Sequence, residues 1–459
     1  MSRLVMVSNR VALPREHRAG GLALAMKCAL QESGGLWFGW NGKVVARSGA
    51  DLHVERQGGI TYATLGLDRR DHAEYYAGFA NRTLWPLFHF RPSLVDFTRA
   101  TWAAYERVNA LFADHLVQLV EPGDMVWIHD YHLMPLGAAL RQRGVRARLG
   151  FYLHTPFPPP DLLTMLPVHR ELFEALTAYD LVGFQVESYV RAFREYVMGE
   201  IGGEVNESGM ISVHGGRRSF RVGAFPVGID VEAVAREAAA RAAPPRGPDA
   251  PRSVIGVDRL DYSKGLPERF LAFGHLLRTW PEQRRQVDLL QIAPPSREDV
   301  SDYRRLRRQL EQMAGAINGE FGEPDWVPIR YVNRGYPQPE LCGLYRGAAV
   351  GLVTPHRDGM NLVAKEYVAS QDPADPGVLV LSRFAGAARN MPGALLVNPN
   401  DVEGMAESLR AALQMPLPER QSRWHSMMAA MREDDVTAWW RRFVAALEGG
   451  GGAGTALAA

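Results

Sequence analysis

Short apolar runs fenced by polar or turn residues recur along this chain, with longer amphipathic stretches between them. Leu4 to Ser8, Met125 to His129, Leu149 to His154 and Asp180 to Gln185 have the make-up of strands buried on both faces. Thr101 to Val120 and His132 to Arg143 have helical spacing. Strand then helix, repeated, predicts an α/β fold with a mainly parallel sheet. Ala242 to Arg252 breaks the pattern with four prolines in eleven residues. Such a stretch cannot continue a helix or join a central strand, so an exposed inter-domain connection is expected there or slightly before it.

The alternation then restarts. Ser253–Val257, Val287–Ala293, Val327–Val332, Ala348–Thr354 and Gly377–Ser382 read as strands, with helices over Pro267–Trp280, Val300–Gly319 and from Asn361. Two α/β domains in tandem predict a ligand cleft between them, at the carboxyl ends of the strands. Glu419 to Leu447 reads as helical, with Trp439, Trp440, Phe443, Val444 and Leu447 on a packing stripe. Gly449 to Ala459 is small-residue sequence expected to fray.

At 459 residues, 46% hydrophobic and 22% charged, the chain is long enough for two globular cores. Its net charge of +1, from 52 basic and 51 acidic residues, argues against nucleic acid or a membrane surface as partner. Only two cysteines, Cys28 and Cys342, are present, without zinc spacing, which suits a reducing compartment. No apolar window has the length of a signal core or a membrane span, so a cytoplasmic protein is expected. No phosphate-loop, H-E-x-x-H, G-x-S-x-G or Asp-x-Asp motif is present, nor a Gly-x-Gly-x-x-Gly turn after a strand. Neither a metal nor a nicotinamide cofactor is therefore expected.

Polar residues at strand ends and loops carry what chemistry remains. Arg10 follows the first strand, and Gly20-Gly21 opens a helix whose amides could approach a phosphate, although a plain turn explains the glycines equally well. Asp130 follows Met125–Ile128 and could bind sugar hydroxyls or cap a helix; these readings stand about even. His154 sits likewise at a strand end. Arg259 and Lys264, five residues apart after a strand, suit an anionic leaving group, against the alternative of a solvated basic loop. Arg297 has the same ambiguity. Asp358 to Glu366 opens a helix after a strand: its amides could hold a diphosphate, Asp358 a sugar hydroxyl and Glu366 a ribose diol. Alternatively Asp358 is a cap, and Lys365 and Glu366 are surface charges.

Taken with Gly35-Leu-Trp-Phe-Gly-Trp40, Trp85-Pro-Leu-Phe-His89, His129-Asp-Tyr-His132, Arg259-Leu-Asp-Tyr-Ser-Lys-Gly265 and Asp358-Gly-Met-Asn-Leu-Val-Ala-Lys-Glu366, the chain resembles the trehalose-6-phosphate synthases from about Ser2 to Leu447. These are retaining glycosyltransferases of GT-B architecture, with two Rossmann-like domains facing each other across a deep cleft. The resemblance implies an N-terminal acceptor domain over 1–236 and a C-terminal nucleotide-sugar domain over 237–432. It also implies a C-terminal helix and flexible tail over 433–459, the helix packing back on the first domain. It places Arg10, Tyr76, Trp85, Asp130 and Arg297 around glucose 6-phosphate, with Arg10 and Arg297 on its phosphate. It places Gly20, Gly21, Arg259, Lys264, Tyr336, Asp358, Leu362, Val363, Ala364, Lys365 and Glu366 around a nucleotide-glucose, most simply UDP-glucose, with His154 beside the transferred glucose. Arg259, Lys264, Asp358 and His154 form the implied catalytic set, with no cofactor and front-face attack that retains configuration. The base of the donor, the oligomeric state and the shape of the Val11–Ala19 loop are left open. A same-fold pseudo-glycosyltransferase acting on cyclitols and an inactive sugar-phosphate sensor are the rival readings.

Overall fold

In the computed structural model, which describes residues 2–14, 21–241, 250–297 and 300–449, the apolar runs become the strands of two sheets. One unit comprises Met1–Val227 and Val436–Ala459, the other Gly228–Asp435. The chain thus passes from the first unit to the second after Val227, not after Arg236. The reason lies in the helix Val231–Ala239, which packs on the helices Gln338–Arg346 and Leu362–Ala369 of the second unit. Residues 242–249 of the proline-rich segment, Gly20, the greater part of the Val11–Ala19 loop and residues 450–459 lie outside the described residues.

The first sheet has ten strands: β1 (Leu4–Arg10), β2 (Gly35–Val45), β3 (His53–Gln57), β4 (Ile60–Asp68), β5 (Met125–His129), β6 (Arg148–Tyr152), β7 (Leu181–Phe184), β8 (Glu204–Val205), β9 (Ile211–Val213) and β10 (Arg218–Ala224). Their order is β3-β4-β2-β1-β5-β6-β7-β10-β9-β8, parallel from β4 to β10 and antiparallel at both edges. Every residue of β5 and β7 is buried, as expected for parallel strands covered on both faces. The helix Val436–Glu448 belongs to this unit, packing on the helix Gly21–Ser33 and on β6 and β7. Its Phe443 stacks on Trp127 with ring centroids 4.3 Å apart, and its Trp439 lies 4.9 Å from the same ring. The helical stretch read over Glu419–Leu447 is two helices, Leu417–Glu433 and Val436–Glu448, broken at Asp434.

The second sheet is wholly parallel, in the order β13-β12-β11-β14-β15-β16. Its strands are β11 (Arg252–Val257), β12 (Val287–Ile292), β13 (Ile329–Val332), β14 (Val350–Val353), β15 (Val378–Ser382) and β16 (Leu395–Val397). The order reverses direction beside β11, which places the loops after β11 and β14 at the topological switch point where such sheets take ligands. Below those loops Arg269, fully buried, donates to Asp258 and Gln291 at 2.8 Å each and to Thr354 at 3.1 Å. That network ties the ends of β11, β12 and β14 together. Burial pushes the Asp258 carboxyl up, and Arg269 and then Lys264 oppose it.

Candidate active site

The first unit gathers its candidate residues at the carboxyl ends of β1, β5 and β6. Arg10 is the last residue of β1 and is exposed; it is not beyond the strand, because a register shift against β2 between Ser8 and Arg10 extends the pairing. Its guanidinium lies against Gly42, where an added Cβ would sit 3.0 Å from both Cζ and Nε. Gly42 also has φ +79°, so a side chain there would be strained as well as crowded. Beneath Arg10, Trp37 donates to the Ser8 hydroxyl at 2.9 Å, and Ser8 donates to the Arg10 carbonyl at 2.8 Å.

Tyr76 lies in a π-helical segment, His72–Leu84, a wide winding that occurs preferentially at functional sites. Its ring stacks on His132 at 5.9 Å with 13° between planes, and it meets Trp40 at 5.4 Å. Trp85 follows, buried, with Tyr131 at 5.7 Å and His89 at 4.0 Å. These rings form an aromatic wall around the His129–His132 turn. Asp130 in that turn has φ +75° and caps no helix; its Oδ1 accepts from the His154 amide at 3.2 Å. The capping alternative is therefore set aside, and a non-glycine residue is held in a sparsely populated conformation, as functional turns often are.

The setting of His154 defines its proton. The Gln185 Oε1 accepts from the Val227 amide at 3.1 Å, which fixes the orientation of the side-chain amide. Gln185 Nε2 therefore donates to His154 Nδ1 at 3.4 Å, leaving the proton on Nε2, which faces His129 Nδ1 at 3.1 Å. Burial pushes His154 down to about 3 and His129 well below its ordinary value, with His154 adding to the latter shift. Near neutral pH His154 is an uncharged, oriented ring and not a general acid.

In the second unit the loop after β11 meets the loop after β14. Gly265 closes the first with φ +63°, and a Cβ there would fall 2.3 Å from the Thr354 carbonyl oxygen. This close approach lets Lys264 Nζ reach Asp358 Oδ2 at 2.5 Å, with both side chains largely buried. Asp358 also accepts from Asn361 Nδ2 at 3.0 Å. Asn361, with φ +81°, is the cap of the helix Leu362–Ala369, accepting from the Ala364 amide at 3.2 Å. Asp358 is thus freed from capping and faces a lysine. Lys365 is buried and Glu366 half-buried, so neither is an ordinary surface charge, and burial pushes the Glu366 carboxyl up to about 7. Arg259 is exposed at the start of the same loop.

Arg297, with φ +49°, donates to Tyr303 at 2.6 Å and to Asp261 Oδ2 at 3.2 Å, while Tyr303 donates to the same oxygen at 3.0 Å. Asp261 Oδ1 in turn accepts from the Ser263 amide at 2.9 Å, so the Arg297 cluster and the Lys264 loop are one hydrogen-bonded piece. Tyr336, past the end of β13, makes its contacts with Arg334, whose guanidinium carbon lies 4.9 Å from its ring centre. Gly21 begins the helix Gly21–Ser33. Sequence reasoning missed Gly42, Gln185, Asp261 and Tyr303 as supports of these groups. Among the described residues no three His, Cys, Asp or Glu side chains gather as a metal site, and no helix is long and apolar enough to cross a membrane.

The arrangement offers fixed positive groups and helix amides for an anion in one unit, and an arginine, a carboxylate and aromatic faces for a polyol in the other. Residues 4–449 match the model of glycosyltransferase family 20. The chain belongs to that family. It is 49% identical to a trehalose-6-phosphate synthase from Sinorhizobium fredii, covering 97% of this chain and 98% of that protein. An α,α-trehalose-phosphate synthase (UDP-forming) from Burkholderia vietnamiensis superposes with a TM-score of 0.94 at 50% identity, over 98% of this chain and 97% of that one. Its counterpart from Burkholderia xenovorans, solved in complex with glucose-6-phosphate, gives 0.93 at 48% identity, over 97% and 100%. As a family 20 chain with two α/β units, the protein has the GT-B fold.

Proposed function

We propose that the protein is a retaining glucosyltransferase that joins glucose from UDP-glucose to glucose 6-phosphate, giving α,α-trehalose 6-phosphate and UDP. The observation that carries this reading is the near full-length match, at 48% identity, to a UDP-forming synthase solved with glucose-6-phosphate. The presence of Arg10, Tyr76, Trp85, Asp130 and Arg297 together supports a sugar phosphate over a cyclitol as acceptor. In this reading Arg10 and Arg297 bind the phosphate, and Tyr76, Trp85 and Asp130 shape the sugar pocket.

The donor diphosphate meets Arg259, Lys264 and the amides of Leu362 and Val363, and Glu366 accepts from the ribose hydroxyls. Asp358, steered by Lys264 and Asn361, accepts from the transferred glucose, beside which His154 holds its neutral ring. The bond from glucose C1 to the diphosphate oxygen breaks with its electron pair going to that oxygen. The acceptor hydroxyl oxygen bonds to C1 from the same face, and its proton passes to the departing phosphate oxygen. The side chains supply position and positive charge where negative charge builds.

Nucleotide release measured with UDP-, GDP- and ADP-glucose, each with no acceptor, with glucose 6-phosphate or with a cyclitol, tests this. Release of UDP that depends on glucose 6-phosphate is expected. Binding of both sugars with no release would mark a sensor, and release that requires a cyclitol instead would mark the pseudo-glycosyltransferase.

A further inference from the structure

A charged cavity of about 700 Å³ opens at the other end of the first sheet from Asp130 and His154. It is lined by Arg141, Arg146, Arg148, Arg218 and Arg221 with Asp180 as the one acid. Arg148 is the first residue of β6, Asp180 directly precedes β7, and Arg221 pairs across from Leu181, the first residue of β7. The carboxyl ends of β6 and β7 lead instead to His154 and Gln185. Along β6 alone, roughly 13 Å of strand separates Arg148 from Tyr152, at ~3.3 Å per residue.

Three of the five guanidiniums, those of Arg141, Arg148 and Arg218, are tied down by hydrogen bonds, while Arg146 is exposed. Asp180 bridges two of them, accepting from Arg141 at 2.7 Å and from Arg218 at 2.8 Å. Arg141 also donates to the Val145 and Ala147 carbonyls at 2.8 Å each, and Arg218 to the Thr177 and Ala178 carbonyls at 2.9 Å each. Arg148 donates to the Leu447 carbonyl at 3.0 Å. Arg146 and Arg221 have no side-chain acceptor among the described residues. Five positive groups against one carboxylate leave an excess of positive charge around a concave space. Burial pulls Arg141 below its ordinary value; Asp180 opposes the shift and Arg218 adds to it.

We propose that this cavity is a binding site for a small phosphate-bearing polyanion, distinct from the site built around Lys264 and Arg297. Planar guanidinium forks match phosphate oxygens in pairs; three of the five side chains are tied to backbone carbonyls and shape the rim, and Arg146 and Arg221 keep unspent forks for the ligand. The volume suits a ligand of nucleotide or sugar-phosphate size. The inference does not depend on the transferase reading.

The test is calorimetric titration with inorganic pyrophosphate at fixed ionic strength, on the wild type, Lys264→Ala and the double variant Arg146→Glu/Arg221→Glu. Lys264→Ala should retain one saturable class of sites. The double variant should lose that class or weaken it at least about tenfold, a modest loss for two charged contacts, with an unchanged melting temperature without ligand. If the glutamates unfold the protein, Arg146→Gln/Arg221→Gln replaces them. Wild-type binding in the folded double variant would overturn the proposal. So would the absence of saturable binding in Lys264→Ala, or binding of an oligouridylate but not of pyrophosphate.

Discussion

Lys264 stands against Asp358 at 2.5 Å before any ligand arrives. Its charge is therefore held in position by a partner that accepts only one of its three donors, leaving the others to face a phosphate. If that charge acts on the departing diphosphate, it matters more in the transition state than in the ground state. Lys264→Ala should lower single-turnover rate by on the order of 10²–10³, the scale of one lost electrostatic donor, while UDP affinity falls less. A normal rate at saturation with collapsed affinity would make Lys264 a plain binding contact.

Glu366 gives a second residue-scale test, through pH. Its carboxyl is pushed up to about 7 by burial, above the ordinary carboxylate range. The folded protein therefore holds a proton that the unfolded chain has released, so its contribution to stability is greatest at acid pH and is lost as pH rises through about 7. Ribose hydroxyls donate to the ionised form, so UDP binding should release protons near pH 6.5–7, and affinity should rise with pH to a plateau. Calorimetry in buffers of different ionisation enthalpy reads this directly; Glu366→Gln should abolish the release. Release that persists in the variant would assign the proton elsewhere. Such a carboxyl was legible in the sequence only as a helix residue two turns from Asp358. Its burial depends on packing that spacing cannot reveal.

At the scale of elements, the strands buried on both faces were plain in the sequence because their apolar runs are continuous. Met125–His129 begins and ends where its composition does. β2 was not legible as a strand: it runs through Asn41, Gly42 and Lys43, where polar residues and a glycine interrupt the apolar run. Yet that stretch shapes the site, since Gly42 makes room for Arg10. Gly42→Ala should displace the Arg10 guanidinium and raise KM for glucose 6-phosphate in the same sense as Arg10→Ala, by about tenfold or ~1.4 kcal/mol, with UDP affinity unchanged. An unaltered KM would show that the Arg10 position seen here is not the one used. The π-helical segment was equally hidden, because no apolar period announces an i→i+5 winding. Tyr303 went unread for another reason: it meets Asp261 and Arg297 only once the helix Ser301–Phe321 packs beside the loop after β11.

Across the whole molecule, the strand–helix alternation was enough to fix two α/β units, and the motifs enough to find the loops that carry charge. What the sequence could not give was which side chains support them, since Gln185, Asp261 and Gly42 act through neighbours distant in the chain. In the proposed reading the donor diphosphate is met by Arg259, Lys264 and helix amides, so activity should survive exhaustive chelation. Complete loss in EDTA, restored by a divalent metal, would contradict the charge assignment; a modest stimulation by magnesium would not. The central claim concerns the bond that is made and its stereochemistry. The direct measurement is carbon NMR of the product formed from UDP-glucose labelled at C1 and unlabelled glucose 6-phosphate. An α-configured labelled carbon in α,α-trehalose 6-phosphate, appearing as UDP is released, is the predicted result; a β-configured carbon, or UDP released with only free glucose formed, would contradict it.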